Sequence, residues 1–162
     1  MKYQVSQKLF ALGGDFTVRD EGGREVYYFD GKLFNFGGKK VEVLNGQRQK
    51  VARISKQFFT FRQTYKIKRN GIVAATIKRR PRLVREQFII DVPGTNDYHI
   101  VGDYVGHEYT IKRGSLDVAR ISKRFFGATD SYGVEIEGGD PVILLSAVVV
   151  IDMALFKAKK TR

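Results

Sequence analysis

Apolar and polar side chains alternate along most of this chain. Phe16-Thr-Val18-Arg, Tyr65-Lys-Ile67-Lys, Tyr109-Thr-Ile111-Lys and Tyr132-Gly-Val134-Glu each put aromatic or β-branched residues at every second position. Val26–Phe29, Val51–Ser55, Val73–Ile77 and Val118–Ser122 follow as matching stretches. Period-2 patterning with such residues predicts half-buried β-strands. Turn signals fall between the arms: Gly22-Gly23, Asn45-Gly46, Asn70-Gly71, Pro93-Gly94, Arg113-Gly114 and Gly138-Gly139. Gly and Asn tolerate the positive φ that tight hairpin turns require. The pattern predicts six hairpin units whose first arms begin near Phe16, Val41, Tyr65, Phe88, Tyr109 and Tyr132.

The pattern also repeats. Val51-Ala-Arg-Ile-Ser-Lys56 recurs as Val118-Ala-Arg-Ile-Ser-Lys123, and the copies share nine of fifteen residues from 51 to 65 at an offset of 67. A repeat at that distance predicts two similar halves of three hairpins each. A Lys-x-Phe element ends several units, at Lys8–Phe10, Lys32–Phe34, Lys56–Phe59 and Lys123–Phe126. It predicts a strand that stops at a rim and tucks a Phe beneath the connection.

Alternation stops after Asp140-Pro141, where Val142 to Phe156 is apolar apart from Ser146 and Asp152. Asp followed by Pro is a helix-start signature. A helix apolar on every side belongs inside a protein. The 16 residues from Pro141 to Phe156 are short of the roughly 20 that a membrane span needs. Twelve strands in a meander leave two open edges unless the sheet closes. Strand side chains fill the interior of only about eight strands, so a larger barrel needs a filler. The expectation is all-β with one helix: a closed twelve-stranded β-barrel around a hydrophobic C-terminal helix at about 141–156. One domain spans 1–156, and 157–162 is a basic tail.

Charge sharpens this picture. The net charge is +12, yet residues 39–85 carry fifteen Lys or Arg against one acid, Glu42, while residues 86–156 carry five basic and eleven acidic side chains. Such a one-signed block attracts polyanions. Lys66, Lys68 and Arg69 approach the Asn70-Gly71 turn, and Lys78, Arg79, Arg80, Arg82 and Arg85 leave its other arm. These eight are the candidate anion-binding residues. Anionic phospholipid is the first partner they suggest, with nucleic acid or an acidic protein as alternatives. Phe58, Phe59 and Phe61 lie near this charge, but their place in the Lys-x-Phe element makes them packing groups rather than a base-stacking platform.

Catalytic and metal chemistry find little support. There is no Cys, and His99 and His107 are too few for a His-built metal site. His107 and Glu108 are adjacent, so in a strand they point to opposite faces. His107 is expected as a buried or rim histidine with a backbone partner. Asp97, Asp103 and Asp117 sit near turns, where Asp bonds local backbone. No cofactor and no enzymatic activity are expected. Without a secretory signal at the amino terminus, the expected location is cytoplasmic, peripheral at the inner membrane surface if lipid is the partner.

Several segments carry a family resemblance: Lys8-Leu-Phe-Ala-Leu-Gly-Gly-Asp-Phe-Thr-Val18, Asp30-Gly-Lys-Leu-Phe-Asn-Phe-Gly-Gly-Lys39, Asp91-Val-Pro-Gly94, His107-Glu-Tyr109 and Ala147-Val-Val-Val-Ile-Asp152. Across its whole length the chain resembles bacterial LURP-one-related proteins of the small YxjI type. The resemblance implies a tubby-like architecture, a twelve-stranded barrel around a hydrophobic helix, shared with phospholipid scramblases. Tubby domains bind phosphoinositides, and plant LURP-one relatives are linked to pathogen defence. The resemblance assigns no site residue in this chain.

Overall fold

Twelve antiparallel strands close into a barrel in the computed structural model, which describes residues 1–7, 15–31, 40–57, 63–80, 87–94, 97–125 and 131–156. The strands are β1 (Lys2–Gln7), β2 (Phe16–Arg19), β3 (Glu25–Asp30), β4 (Lys40–Asn45), β5 (Lys50–Lys56), β6 (Thr64–Arg69), β7 (Ile72–Arg80), β8 (Gln87–Asp91), β9 (Tyr98–Asp103), β10 (Glu108–Arg113), β11 (Leu116–Ser122) and β12 (Ser131–Ile136). Helix α1 (Pro141–Phe156) fills the interior. Each strand pairs with its neighbours in sequence, and β1 closes the ring against β12.

The alternation predicted the fold, but one strand came from elsewhere. The unit that begins near Tyr132 has no second arm, because its chain turns into α1. The missing strand is β1, whose buried Tyr3 and Val5 sit beside Val134 and Tyr132. This shifts the frame of the repeat by one strand. Val5 pairs with Val18 as Ile77 pairs with Ile90, and Ile54 pairs with Ile67 as Ile121 pairs with Val134. The halves are therefore β1–β6 and β7–β12, three strand pairs each. Their seam is the Asn70-Gly71 turn, in the middle of the most cationic hairpin.

The core is the inner face of every strand packed on α1. Val5, Val18, Phe29, Val41, Ile67, Ile77, Ile90 and Ile111 are fully buried, as are Leu144, Leu145 and Val148 to Ile151. A helix apolar on all sides has no preferred rotation or depth in an apolar tube. Polar contacts along its length supply that preference. At the start, Asp140 caps α1 by accepting the Val142 N–H at 2.9 Å, and Arg69 on β6 forks onto the same carboxylate, with Nη2 at 3.1 Å from Oδ1. Near the end, Arg79 on β7 donates to the Ala154 carbonyl at 3.3 Å and to Gln63 at 2.9 Å. A cation at a helix C-terminus also complements the helix dipole. The lengths agree: fourteen helical residues from Asp140 to Ala154 span about 21 Å. The register sets Arg69 beside Ile72, and the seven residues from there to Arg79 span about 23 Å of strand.

The repeated rim element is described in one copy. Lys123–Phe125 forms a 3-10 turn, and Phe125 lies on β12 so closely that a Cβ on Gly133 would meet it at 2.4 Å. Gly133 matches Lys66 of the other half, so one sheet position bears a cation in the first half and an aromatic cover in the second. Phe58, Phe59 and Phe61 lie outside the described residues, as does the basic tail.

Candidate anion-binding face

The inner parity of β6 and β7 sorts the predicted cations. Tyr65 and Ile67 on β6, and Ala75 and Ile77 on β7, are buried. Lys66 and Lys68, and Lys78 and Arg80, take the opposite parity and face out. Arg69 and Arg79 take the inner parity. The structure removes these two from the outer cluster and gives them to α1, as described above. Arg82 and Arg85 lie outside the described residues.

The outward cations lie on neighbouring strands. Lys66 pairs with Thr76 and Thr64 with Lys78, which sets Lys66 and Lys78 on a diagonal, about 7–8 Å apart between backbones. Lys78 Nζ sits 3.1 Å from Asp91 with both side chains partly exposed. Lys66, Lys68 and Arg80 have no carboxylate partner among the described residues. The described residues of β5–β7 hold no outward aromatic ring, since their one aromatic, Tyr65, is buried.

On the other side of Lys68, β5 adds two cations beyond the eight predicted from the sequence, Lys50 and Arg53. Arg53 pairs with Lys68 across the sheet. Glu42, the lone acid of the basic block, holds Arg53 at 2.6 Å and Lys50 at 3.0 Å. Lys50, Arg53, Lys68, Asn70 and Gly71 line a cleft of about 290 Å³ at the β6–β7 turn. With one carboxylate set against three cations, the cleft keeps a net positive charge. Glu42 was readable as the exception in its block, and its cross-strand partner Arg53 follows from the Asn45-Gly46 turn.

A second polar cluster lies inside the barrel. His107 Nε2 is 2.7 Å from Asp152 Oδ1 of α1, and the Tyr132 hydroxyl donates to Asp152 Oδ2 at 2.8 Å. The His107 and Tyr132 rings stack at 4.5 Å. A carboxylate can only accept, so the His107 nitrogen facing it carries the hydrogen. The partner of His107 is thus a helix carboxylate rather than the expected backbone group. Glu108 points away, to the Ser122 hydroxyl at 2.8 Å. Of the turn carboxylates, Asp97 and Asp103 accept local N–H groups of Val92 and Gly106, while Asp117 pairs with Lys112 at 2.8 Å. Among the described residues no three His, Asp or Glu side chains converge as metal ligands.

Burial, and next the nearby Asp152 charge, push the Tyr109 and Tyr132 phenols well above the ordinary value of 10.0. Above about pH 10 the unfolded chain loses these protons while the folded chain keeps them. The stabilisation is full below that pH and falls as pH rises. Each phenol is expected to remove about 1.4 kcal/mol of stability per pH unit. Urea titrations at several values between about pH 9 and pH 11 measure the slope. A flat profile would show both phenols ionising freely in the fold.

Closed topology, an apolar central helix and its polar anchors define the class, a filled twelve-stranded barrel. A family model for LURP-one-related proteins matches residues 1–152, and the chain belongs to that family. The chain is 22% identical over 153 residues to the uncharacterized protein YxjI of Bacillus subtilis, covering 94% of this chain and 92% of that one. An X-ray structure of a protein from Arabidopsis thaliana superposes with a TM-score of 0.68 at 15% identity, over 94% of this chain and 91% of that chain. That likeness shows the fold. No described helix is long and apolar enough to cross a membrane.

Proposed function

We propose that this chain is a non-catalytic binding protein that docks on anionic phospholipid, of the phosphoinositide or phosphatidylserine kind, at a cytoplasmic membrane surface. The observation that carries the reading is the outward row Lys66, Lys68, Lys78 and Arg80 along β6 and β7, with the Lys50–Arg53–Lys68 cleft at one end of it. A flat cationic face with one concave cationic corner suits a charged surface that also presents individual phosphates. Arg brings a planar fork for phosphate oxygens, and Lys brings point charge. Single-stranded nucleic acid would be served by exposed aromatic platforms, and the described part of this face has none.

Sedimentation with vesicles tests the reading. The protein is expected to pellet with phosphatidylcholine vesicles that contain anionic lipid and to stay in solution with phosphatidylcholine alone. Added salt should release it, because the exposed charges are screened over about 8 Å at physiological ionic strength. Equal recovery with neutral and anionic vesicles would overturn the proposal.

A further inference from the structure

We propose that Ile72 inserts into the acyl boundary of the anionic bilayer while the cleft beside it holds lipid phosphate. The inference rests on the docking reading above and adds to it an orientation and an apolar contact. Ile72 is 73% exposed. A lone exposed aliphatic residue is ordinary on a soluble surface, so its setting carries the argument. Asn70 and Gly71, with φ of 50° and 76°, turn the chain tightly at the barrel rim. They also line the cationic cleft. Ile72 follows them directly and pairs with Arg69. The same hairpin tip therefore presents Lys68 on its outer face and, one pair nearer its end, an exposed aliphatic group at the rim.

The dimensions fit a bilayer interface. The turn lies one to two residues beyond Lys68, or about 3–7 Å of strand. Apolar groups of interfacial proteins sit about 5–10 Å into the headgroup–acyl boundary. With the β6–β7 face inclined on the bilayer so that its tip lies lowest and Lys68 sits at phosphate level, Ile72 is the first apolar group to meet that boundary, while Lys66, Lys78 and Arg80 follow along the headgroup surface.

Leu116 is an internal comparison. It is 68% exposed at the β10–β11 turn, at the same end of the barrel. It pairs with Arg113 as Ile72 pairs with Arg69, but its neighbour Asp117 is held by Lys112, and it lies apart from the Lys50–Arg53–Lys68 cleft. A barrel that docks through the β5–β7 sector inserts Ile72 and keeps Leu116 in water.

The chain has no Trp, so Ile72→Trp and Leu116→Trp each create one fluorescent reporter at a position where the core is untouched. Each is mixed with phosphatidylcholine–phosphatidylserine vesicles, with and without acyl-brominated lipid. The indole at 72 is expected to shift to the blue and to be quenched several-fold more than the indole at 116. Ile72→Asp, with an unchanged circular dichroism spectrum, is expected to weaken vesicle binding about tenfold. Pelleting without a shift or quenching at 72 overturns insertion and leaves the docking reading standing. Equal quenching at 72 and 116 overturns the orientation set by the cleft. Failure of the unsubstituted protein to pellet overturns both.

Discussion

Reversing Lys66, Lys68, Lys78 and Arg80 together to glutamate is expected to lower affinity for anionic vesicles by about a thousandfold. Each basic residue near an anionic surface contributes about 1 kcal/mol, and about 1.4 kcal/mol is a factor of ten. Four lost attractions thus reach roughly a thousandfold, before the repulsion of four new carboxylates is counted. The fold should survive, because all four side chains lie on the outer face. The weak point is position 78, where a glutamate would stand beside Asp91. A thermal melt of the variant separates that local cost from the loss of binding. The matched control is Arg120 and Lys123, which repeat Arg53 and Lys56 in the other half, away from the cluster. Their reversal should change affinity little. Unchanged sedimentation of the fourfold variant would remove the β6–β7 face as the docking site.

The second large effect concerns stability. Replacing Asp152 with alanine is expected to cost about 4 kcal/mol, a large share of the margin of a domain stable by about 5–15 kcal/mol. The substitution leaves His107 and Tyr132 buried without their shared acceptor. Each stranded polar group costs about 1–3 kcal/mol, and the lost bonds involve a carboxylate. Asp152→Asn keeps the volume and one acceptor oxygen, so about half the loss should return. Urea denaturation of both variants measures the difference. Equal stability of Asp152→Ala and the parent protein would show that the cluster does not anchor the helix, and an Asn variant as damaged as the Ala variant would refute the acceptor argument.

How far these features could be read from the sequence varies with their range. Strand and turn patterns are local, and they predicted the barrel and helix α1. Strand β1 was harder, because Tyr3 and Val5 are two alternating apolar positions with no tight-turn signal beside them. Its pairing with β12 spans nearly the whole chain. The cationic cluster was legible as a block of charge. Its division was legible in principle too, since the parity that groups Lys66 with Lys68 sets Arg69 apart. Seeing what Arg69 and Arg79 touch required the position of the helix. The His107–Asp152 contact joins residues 45 apart, and no period or spacing encodes it. Asp152 carried the one available signal, a carboxylate in an otherwise apolar run that had to find a partner inside.

Closure of the ring by β1 against β12 has a consequence for how the molecule is made. Lys2 sits beside Glu135, so the first strand waits with an open edge until nearly all of the barrel has been synthesised. The filler comes later still, because α1 follows the last strand. Long-range pairing of this kind folds slowly and exposes unpaired edges on the way. Until Pro141 to Phe156 arrive, the wall surrounds an apolar space with nothing to pack against. The native state is therefore expected only after translation of the helix rather than strand by strand, and a nascent chain stopped before residue 141 is expected to leave the apolar inner faces of its strands uncovered.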